Sequence, residues 1–217
     1  MSAREKILAR IRKAQGRGVS RPSQAELEAV ETYLRAHPRG PLPNVEGDLV
    51  ARFRARAESM LCTTDEIVDA AGIPAAVARY LKTSNLPLAG CVWPQLAALD
   101  WKGAGLALEP RGANAEDAVG VTGAFAAIAE TGTLMFASGP DTPATVSLLP
   151  ETHVAVVPAG RIVAHMEQGW DLARAEFGRL PRAINFVSGP SRTADIDQQI
   201  VLGAHGPYRV HIILVRA

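Results

Sequence analysis

The sequence has little of what a metal centre requires. Its 217 residues include two cysteines, Cys62 and Cys91, which have neither the number nor the CxxC spacing of an iron–sulfur or structural zinc site. We therefore expect both to be reduced thiols that pack as small apolar side chains and carry no cofactor. The five histidines show no HxxxH or HxH spacing, so no metal site is predicted.

An excess of one charge and long apolar runs are also missing. The net charge is +1, and the arginines are mixed with acidic residues, so no basic stripe for nucleic acid is present. No window approaches the roughly 18 uninterrupted apolar residues of a membrane span. The first fifteen residues lack the apolar core and cleavage site of a secretory signal. We expect a cytoplasmic protein without a nucleic-acid partner or a membrane span.

The beginning of the chain predicts helices without a core of their own. An apolar stripe predicts a helix over residues 2–14, and Ser23 with Glu26 forms the capping box of a second helix that Pro38 stops. Residues 37–44 contain three prolines and cannot form regular structure. We interpret residues 1–45 as a helical arm and residues 46–217 as one α/β domain, whose first helix spans about residues 47–60.

The rest of the chain alternates apolar runs of strand length with helical stretches. Several runs are apolar on consecutive residues, which is typical of strands buried on both faces. Helices are predicted from Pro74 onward and over residues 166–177. This alternation predicts a mostly parallel sheet flanked by helices. The strand candidates are residues 88–93, 105–109, 133–137, 153–157, 183–187 and 210–215.

The loop after Val187 is the first candidate site. Ligands of open parallel sheets bind beyond the carboxyl ends of the strands, and this loop offers hydroxyls, backbone N–H groups and one guanidinium. A helix beginning at Thr193 or Asp195 would favour an anion there. Alternatively, Gly189 and Pro190 only shape a turn and the later residues only cap a helix. The candidate ligand-binding residues are Ser188, Gly189, Ser191, Arg192, Thr193 and Asp195.

Two further loops complete the candidate site. Glu130 precedes Thr131 and Gly132 between apolar flanks, so it is either a catalytic carboxylate at a loop or part of a hairpin turn. His205 lies between Gly203 and Gly206, where it is either a base that titrates near neutral pH or a structural hydrogen-bonding group. The loops at 188–193 and 203–207 are expected to face each other and to frame a pocket.

Three motifs together resemble one family. AETGTLMF, SLLPETHVAVVP and SGPSRTADIDQQIVLGAHGPYRVHIILV occur in the order found in the LutC/YkgG family, whose shared unit is called the LUD domain. The resemblance covers about residues 58–217. A basic residue often precedes the SLLP run in the family, whereas this chain has Pro143, Ala144, Thr145 and Val146. The resemblance then implies a larger role for Arg192 or a weaker site.

The resemblance implies an α/β fold of the ribose-phosphate isomerase and CoA-transferase type and a role in oxidising L-lactate to pyruvate. Iron–sulfur clusters would then belong to partner proteins, in agreement with the few cysteines here. One hypothesis is an accessory subunit that binds these partners and a small carboxylate or phosphate-bearing ligand. The alternatives are an enzyme in its own right, with Glu130 as nucleophile or base, and a stand-alone binding or regulatory module.

Overall fold

The chain divides into two units, which are Met1–Leu42 and Pro43–Ala217. The computed structural model describes residues 2–17, 21–196 and 198–216. The first unit contains α1 (Ala3–Ala14) and α2 (Gln24–Ala36), and each helix begins with a capping box, made by Ser2 with Glu5 and by Ser23 with Glu26. The predicted capping box at Ser23 is thus confirmed. None of the residues of either helix is buried, so their apolar stripes face outward.

The second unit contains the sheets. Its first helix, α3, has Asp48 as N-cap and was predicted to within two residues at its start. The helix predicted over residues 166–177 is confirmed at both ends. In chain order the elements are α3 (Leu49–Ser59), β1 (Thr63–Ile67), α4 (Ile73–Thr83), β2 (Ala89–Val92), β3 (Ala107–Pro110), β4 (Val119–Gly123), β5 (Ala126–Ile128), β6 (Thr133–Ala137), α5 (Thr145–Leu148), β7 (Thr152–Pro158), β8 (Ile162–Val163), α6 (Met166–Phe177), β9 (Ile184–Val187), β10 (Arg192–Ile196), β11 (Gln199–Leu202) and β12 (Arg209–Val215).

A six-stranded parallel sheet forms the centre of this unit. Its order is β1-β12-β7-β4-β2-β3, and every neighbouring pair is parallel. The longest strands, β7 and β12, are buried along almost their whole length, as expected for parallel strands covered on both faces. The predicted α/β class is confirmed.

The two faces of the central sheet are covered differently. On one face, Val77 and Leu81 of α4 pack against apolar residues of β4, β7 and β12. On the other face, Phe53 and Ala57 of α3 pack together with Phe136 of a second sheet. A helix and a sheet therefore share the second face.

The second sheet has the order β8-β5-β6-β9. Strands β5 and β6 form an antiparallel hairpin, and β9 runs antiparallel to β6. The strands predicted at 133–137 and 183–187 are therefore real, but they lie in this sheet and not in the parallel one. Trp170 and Ala173 of α6 pack against Met135 and Phe186 on its outer surface.

No helix begins at Thr193 or Asp195, so the anion site that a helix start would favour there is not formed. Both residues lie in β10, which pairs with β11 in a two-stranded antiparallel ribbon. Thr193 pairs with Val201 across the ribbon, so the backbone groups of this segment bond between strands. The run Ile200–Leu202, with its β-branched residues, favours that pairing.

Candidate functional site

Two of the predicted loops are joined by backbone hydrogen bonds. The N–H of Ser191 donates to the carbonyl oxygen of Pro207, and the N–H of Gly203 donates to the carbonyl oxygen of Ser191, both at 2.9 Å. The two loops therefore contact each other, as expected, whereas the pocket that they were expected to frame stays a prediction.

These loops lie at the amino edge of the central sheet, which corrects the expected placement. Pro207 stands two residues before β12, and the N–H groups of Tyr208 and Arg209 both donate to the carbonyl oxygen of Glu151, directly before β7. The loop after Val187 leaves β9 of the second sheet, so the rule for carboxyl ends of a parallel sheet does not apply to it.

Gly132 and Gly189 bring two of the sequence motifs against α3. Gly132 has a φ of 69° and Gly189 a φ of 79°, values that residues other than glycine rarely adopt. A Cβ on Gly132 would overlap the backbone nitrogen of Ala57, and a Cβ on Gly189 would overlap the carbonyl oxygen of Met60. Both glycines are needed because the backbone of the α3 region approaches them closely.

A chain of hydroxyl groups connects the same two motifs. The Oγ1 atoms of Thr131 and Thr133 are 2.7 Å apart, and Thr133 Oγ1 lies 2.6 Å from Ser188 Oγ. Thr133 is buried, whereas Thr131 is exposed. The turn between β5 and β6 is therefore held to the loop that follows β9.

Glu130 is paired with a histidine that sequence reasoning did not select. His165 Nδ1 lies 2.9 Å from Glu130 Oε2, and the two side chains are 13% and 26% exposed. His165 immediately precedes α6, and its backbone N–H donates to Gln168. A signal was present, since a polar residue followed three positions later by Gln is the pattern of a helix start. The same pattern does not reveal which carboxylate the imidazole meets.

A cavity of about 500 Å³ opens between α3 and these motifs. Two arginines, Arg52 and Arg56, project from α3 into its wall, and Arg52 Nε is buried without a hydrogen-bond partner among the described residues. Hydroxyl groups and one carboxylate complete a polar wall that suits an anion with a hydroxyl group. The lining residues are Pro43, Arg52, Arg56, Ser59, Met60, Glu130, Thr131 and Ser188.

The remaining predicted site residues lie elsewhere. His205 is exposed, and the imidazole beside Glu130 is that of His165. Gly203 and Gly206 line a different cavity, beside Glu151. Arg192 is exposed, and its guanidinium lies 4.0 Å from the sulfur of Met60. Of the predicted site, the structure gathers Glu130, Thr131 and Ser188 around one cavity. Gly132 and Gly189 do not line it but pack against the α3 region. Of the three other candidates, Thr193 and Asp195 lie in β10, and Ser191 holds the 203–207 loop through its backbone groups.

Both cysteines are buried, and burial raises their thiol pKa, to about 11 for Cys62 and about 12 for Cys91. The two thiols are therefore neutral near pH 7. Within residues 2–17, 21–196 and 198–216, no three His, Cys, Asp or Glu side chains are grouped so that they could hold a metal ion. That this chain carries no cofactor stays a prediction. No described helix is long and apolar enough to cross a membrane.

The fold and the cavity define an α/β protein in which a mixed sheet packs on one face of a parallel sheet. A crystal structure of a DUF162 family protein from Deinococcus radiodurans is similar, with a TM-score of 0.59 and 25% sequence identity over 80% of this chain and 99% of that one. Residues 96–215 match the LUD domain. The protein belongs to the LUD domain family.

Relatives of known name share part of this chain. Lactate utilization protein C of Bacillus subtilis is 41% identical over 100 residues, which cover 45% of this chain and 42% of the relative. The protein of the same name from Bacillus licheniformis is 37% identical over 127 residues, covering 57% of this chain and 53% of the relative. The chain thus spans about half the length of these relatives.

Proposed function

We propose that this protein acts in L-lactate utilisation, as an accessory component that binds a small carboxylate and works with iron–sulfur partner proteins. Its relatives named lactate utilization protein C support the role in a lactate system. The single observation that supports the ligand is the pair of arginines, Arg52 and Arg56, in the wall of one cavity.

The charges around the cavity favour a carboxylate. Neither arginine is paired with a carboxylate in the part of the chain that the structure describes, whereas Arg54 on the same helix pairs with Glu58 at 2.9 Å. A planar guanidinium donates two parallel hydrogen bonds to the two oxygens of a carboxylate. Arg52 and Arg56 are thus available to a ligand, and Arg54 is not.

The other polar groups favour a hydroxyl group on the same ligand. Glu130, Thr131 and Ser188 line the cavity with the arginines. A carboxylate such as Glu130 accepts a hydrogen bond from a hydroxyl, and the Thr and Ser hydroxyls can donate or accept. An α-hydroxy acid such as L-lactate satisfies both sets of groups.

The second candidate function is an enzyme that removes a proton in this cavity. The observation that favours it is the contact of 2.9 Å between Glu130 and His165. A carboxylate that hydrogen-bonds an imidazole is a common arrangement for general acid–base work. In this role Glu130 accepts the proton of the bound hydroxyl as its C–O bond becomes a carbonyl, and the hydride of the adjacent C–H bond passes to an electron acceptor supplied by the partner proteins. His165 stabilises the orientation of the carboxylate.

Titration calorimetry with L-lactate and pyruvate tests the ligand. Arg52→Ala and Arg56→Ala should each weaken binding by about 1.5–3 kcal/mol, the range for a hydrogen bond to a charged group. Arg54→Ala is the matched control and should bind normally. Arg192→Ala should lose less than Arg52→Ala, because Arg192 contacts Met60 and does not line the cavity. An equal or larger loss in Arg192→Ala would move the ligand to the 188–193 loop.

Growth tests the role. The gene should restore growth on L-lactate to a bacterium that lacks its own lactate utilization protein C, and the Arg52→Ala, Arg56→Ala double variant should restore it poorly. Co-purification from that host should recover iron-containing partner proteins. Full growth with the double variant would remove the cavity from the function, and failure of the unchanged gene would contradict the role itself.

A further inference from the structure

A second cavity, of about 470 Å³, lies at the carboxyl edge of the central sheet, opposite the edge that carries the loops at 188–193 and 203–207. Trp93 directly follows β2, Ala124 directly follows β4, and Pro158 is the last residue of β7, so the cavity lies beyond the carboxyl ends of three adjacent strands. It shares no lining residue with the arginine-lined cavity.

The strand order places this cavity at a topological switch point of the central sheet. From β2 the chain goes outward to β3 and then returns to β4, on the other side of β2. The successive connections therefore diverge between β2 and β4. A crevice at the carboxyl edge forms where connections diverge in this way, and ligands of open α/β sheets bind in such crevices.

Aromatic rings form much of the wall. Trp93, Phe125 and Phe177 all line the cavity. The rings of Phe125 and Phe177 are 4.9 Å apart and inclined at 34°, and Phe177 is 39% exposed. Such surfaces suit a flat ring, which gains both apolar burial and offset stacking.

The charged groups of this cavity neutralise each other. Arg161 donates to both carboxylate oxygens of Glu176, at 2.6 and 3.1 Å, and its Nε donates to the carbonyl oxygen of Phe125. Its guanidinium also lies 4.7 Å from the centre of the Phe125 ring. No guanidinium among the described lining residues is left to bind an anion, so a neutral ligand is favoured.

Two polar side chains give the cavity directional hydrogen bonding. Ser138 Oγ accepts the N–H of Ala183 at 3.0 Å, which leaves its hydroxyl hydrogen to donate. Gln95 is exposed, and its Oε1 lies 3.5 Å from the position that a Cβ on Gly123 would take. A glutamine amide presents a donor beside an acceptor, which is complementary to the edge of a nitrogen heterocycle such as adenine.

We propose that this cavity binds a neutral, planar nitrogen heterocycle of nucleoside size, which stacks on Phe125 and Phe177 while Gln95 and Ser138 bond its edge. The site is independent of the carboxylate site. This cavity would recognise its ligand by ring stacking and by hydrogen bonds to the ring edge, whereas the arginine-lined cavity would recognise a carboxylate by its charge.

Titration calorimetry and tryptophan fluorescence with adenosine, riboflavin and inosine test the proposal on the full chain. At least one of these should bind, and benzyl alcohol, a ring without heteroatoms, should bind more weakly. Phe177→Ala and Gln95→Leu should each weaken binding about tenfold. Because Gln95 is exposed, Gln95→Leu should not impair folding, and thermal melts verify that both variants are folded.

Two controls separate this site from its surroundings. Leu180→Ala, at another exposed apolar residue close to the end of α6, should leave heterocycle binding unchanged, as should Arg52→Ala in the other cavity. The proposal is overturned if none of the three heterocycles binds at millimolar concentration, or if neither cavity variant weakens the binding. Benzyl alcohol binding as tightly as the heterocycles would also overturn it.

Discussion

His165 Nδ1 lies 2.9 Å from Glu130 Oε2, although the two residues are 35 positions apart in the chain. Glu130 comes from the turn between β5 and β6, and His165 from the residue that precedes α6. The second sheet and its covering helix thus bring an imidazole against Glu130, which lines the arginine-lined cavity.

Removing the charge of Glu130 should affect function more than stability. Glu130→Gln retains a hydrogen-bond acceptor for His165 and keeps the size of the side chain. If this pair moves a proton, lactate-dependent activity with partners should fall at least about a hundredfold, the lower range for general acid–base catalysis, while the thermal midpoint changes little. Glu167→Gln, on the first turn of α6, is the control. Unchanged activity in Glu130→Gln would leave only the binding role.

Alanine at the two motif glycines should destabilise the fold. Gly132→Ala and Gly189→Ala add a Cβ that overlaps the backbone of Ala57 or Met60, and each also forces a positive φ on alanine. We expect losses of about 2–5 kcal/mol in the free energy of unfolding, from overlap and backbone strain together.

The matched control for these variants is Gly105→Ala. Gly105 has a φ of 78°, but nothing lies within 4 Å of its Cβ position. It should therefore lose only about 1–2 kcal/mol, the cost of the left-handed conformation. Urea unfolding of all three variants measures the difference, and equal losses would show that α3 does not restrict the two loops.

The stability of the protein should fall as the pH drops below about 6.5. Burial lowers the pKa of His153 to about 3 and that of His211 to about 4, so the unfolded chain binds these protons first. Their contribution is complete above the unfolded pKa and is lost as the pH falls toward the folded values, at no more than about 1.4 kcal/mol per pH unit for each histidine.

Urea unfolding between pH 7 and pH 5 measures this slope. His153→Gln and His211→Gln should each make it shallower, and His205→Gln, at an exposed histidine, should not. Carboxylates with a lowered pKa, such as Asp117 beside Arg111, add their own loss mostly below this window. A slope that neither buried-site variant reduces would contradict the assignment.

Removing the first unit should leave the second folded. A chain beginning at Pro43 retains α3 with Phe53 and Ala57, which are fully buried in the core, and should unfold cooperatively by circular dichroism. A chain beginning at residue 61 lacks that helix and should not fold stably. Loss of cooperative unfolding in the chain that begins at Pro43 would show that residues 1–42 belong to the core.

Much of the fold was predictable because its main strands are long and apolar. Strands β7 and β12 are buried over almost every residue. Their sequences are therefore largely apolar runs, which predict buried strands directly. Strand β1, in contrast, reads Thr-Thr-Asp-Glu-Ile, and only its place at the edge of the sheet makes it a strand. The second sheet was not separated from the first, since β6 and β9 are as apolar as parallel strands and antiparallel pairing leaves no local mark.

The site was predictable only where its residues adjoin a glycine turn. Glu130 and Thr131 adjoin a conspicuous glycine turn, and Ser188 stands beside another. Arg52 and Arg56 were not selected, because on a helix rich in arginine nothing local distinguishes a residue that faces a cavity from Arg54, which pairs with Glu58. That distinction depends on what α3 packs against.

The position of α3 has a consequence for how the arginine-lined cavity is assembled. The segment that matches the LUD domain begins at residue 96, whereas both cavity arginines lie some forty residues upstream, on a helix that presses against Gly132 and Gly189. The segment that matches the LUD domain thus supplies the carboxylate and hydroxyl groups of the cavity, and a helix outside that segment supplies its two guanidinium groups. The cavity is complete only when both parts of the chain are folded against each other, so a fragment limited to residues 96–215 would lack its positive charge.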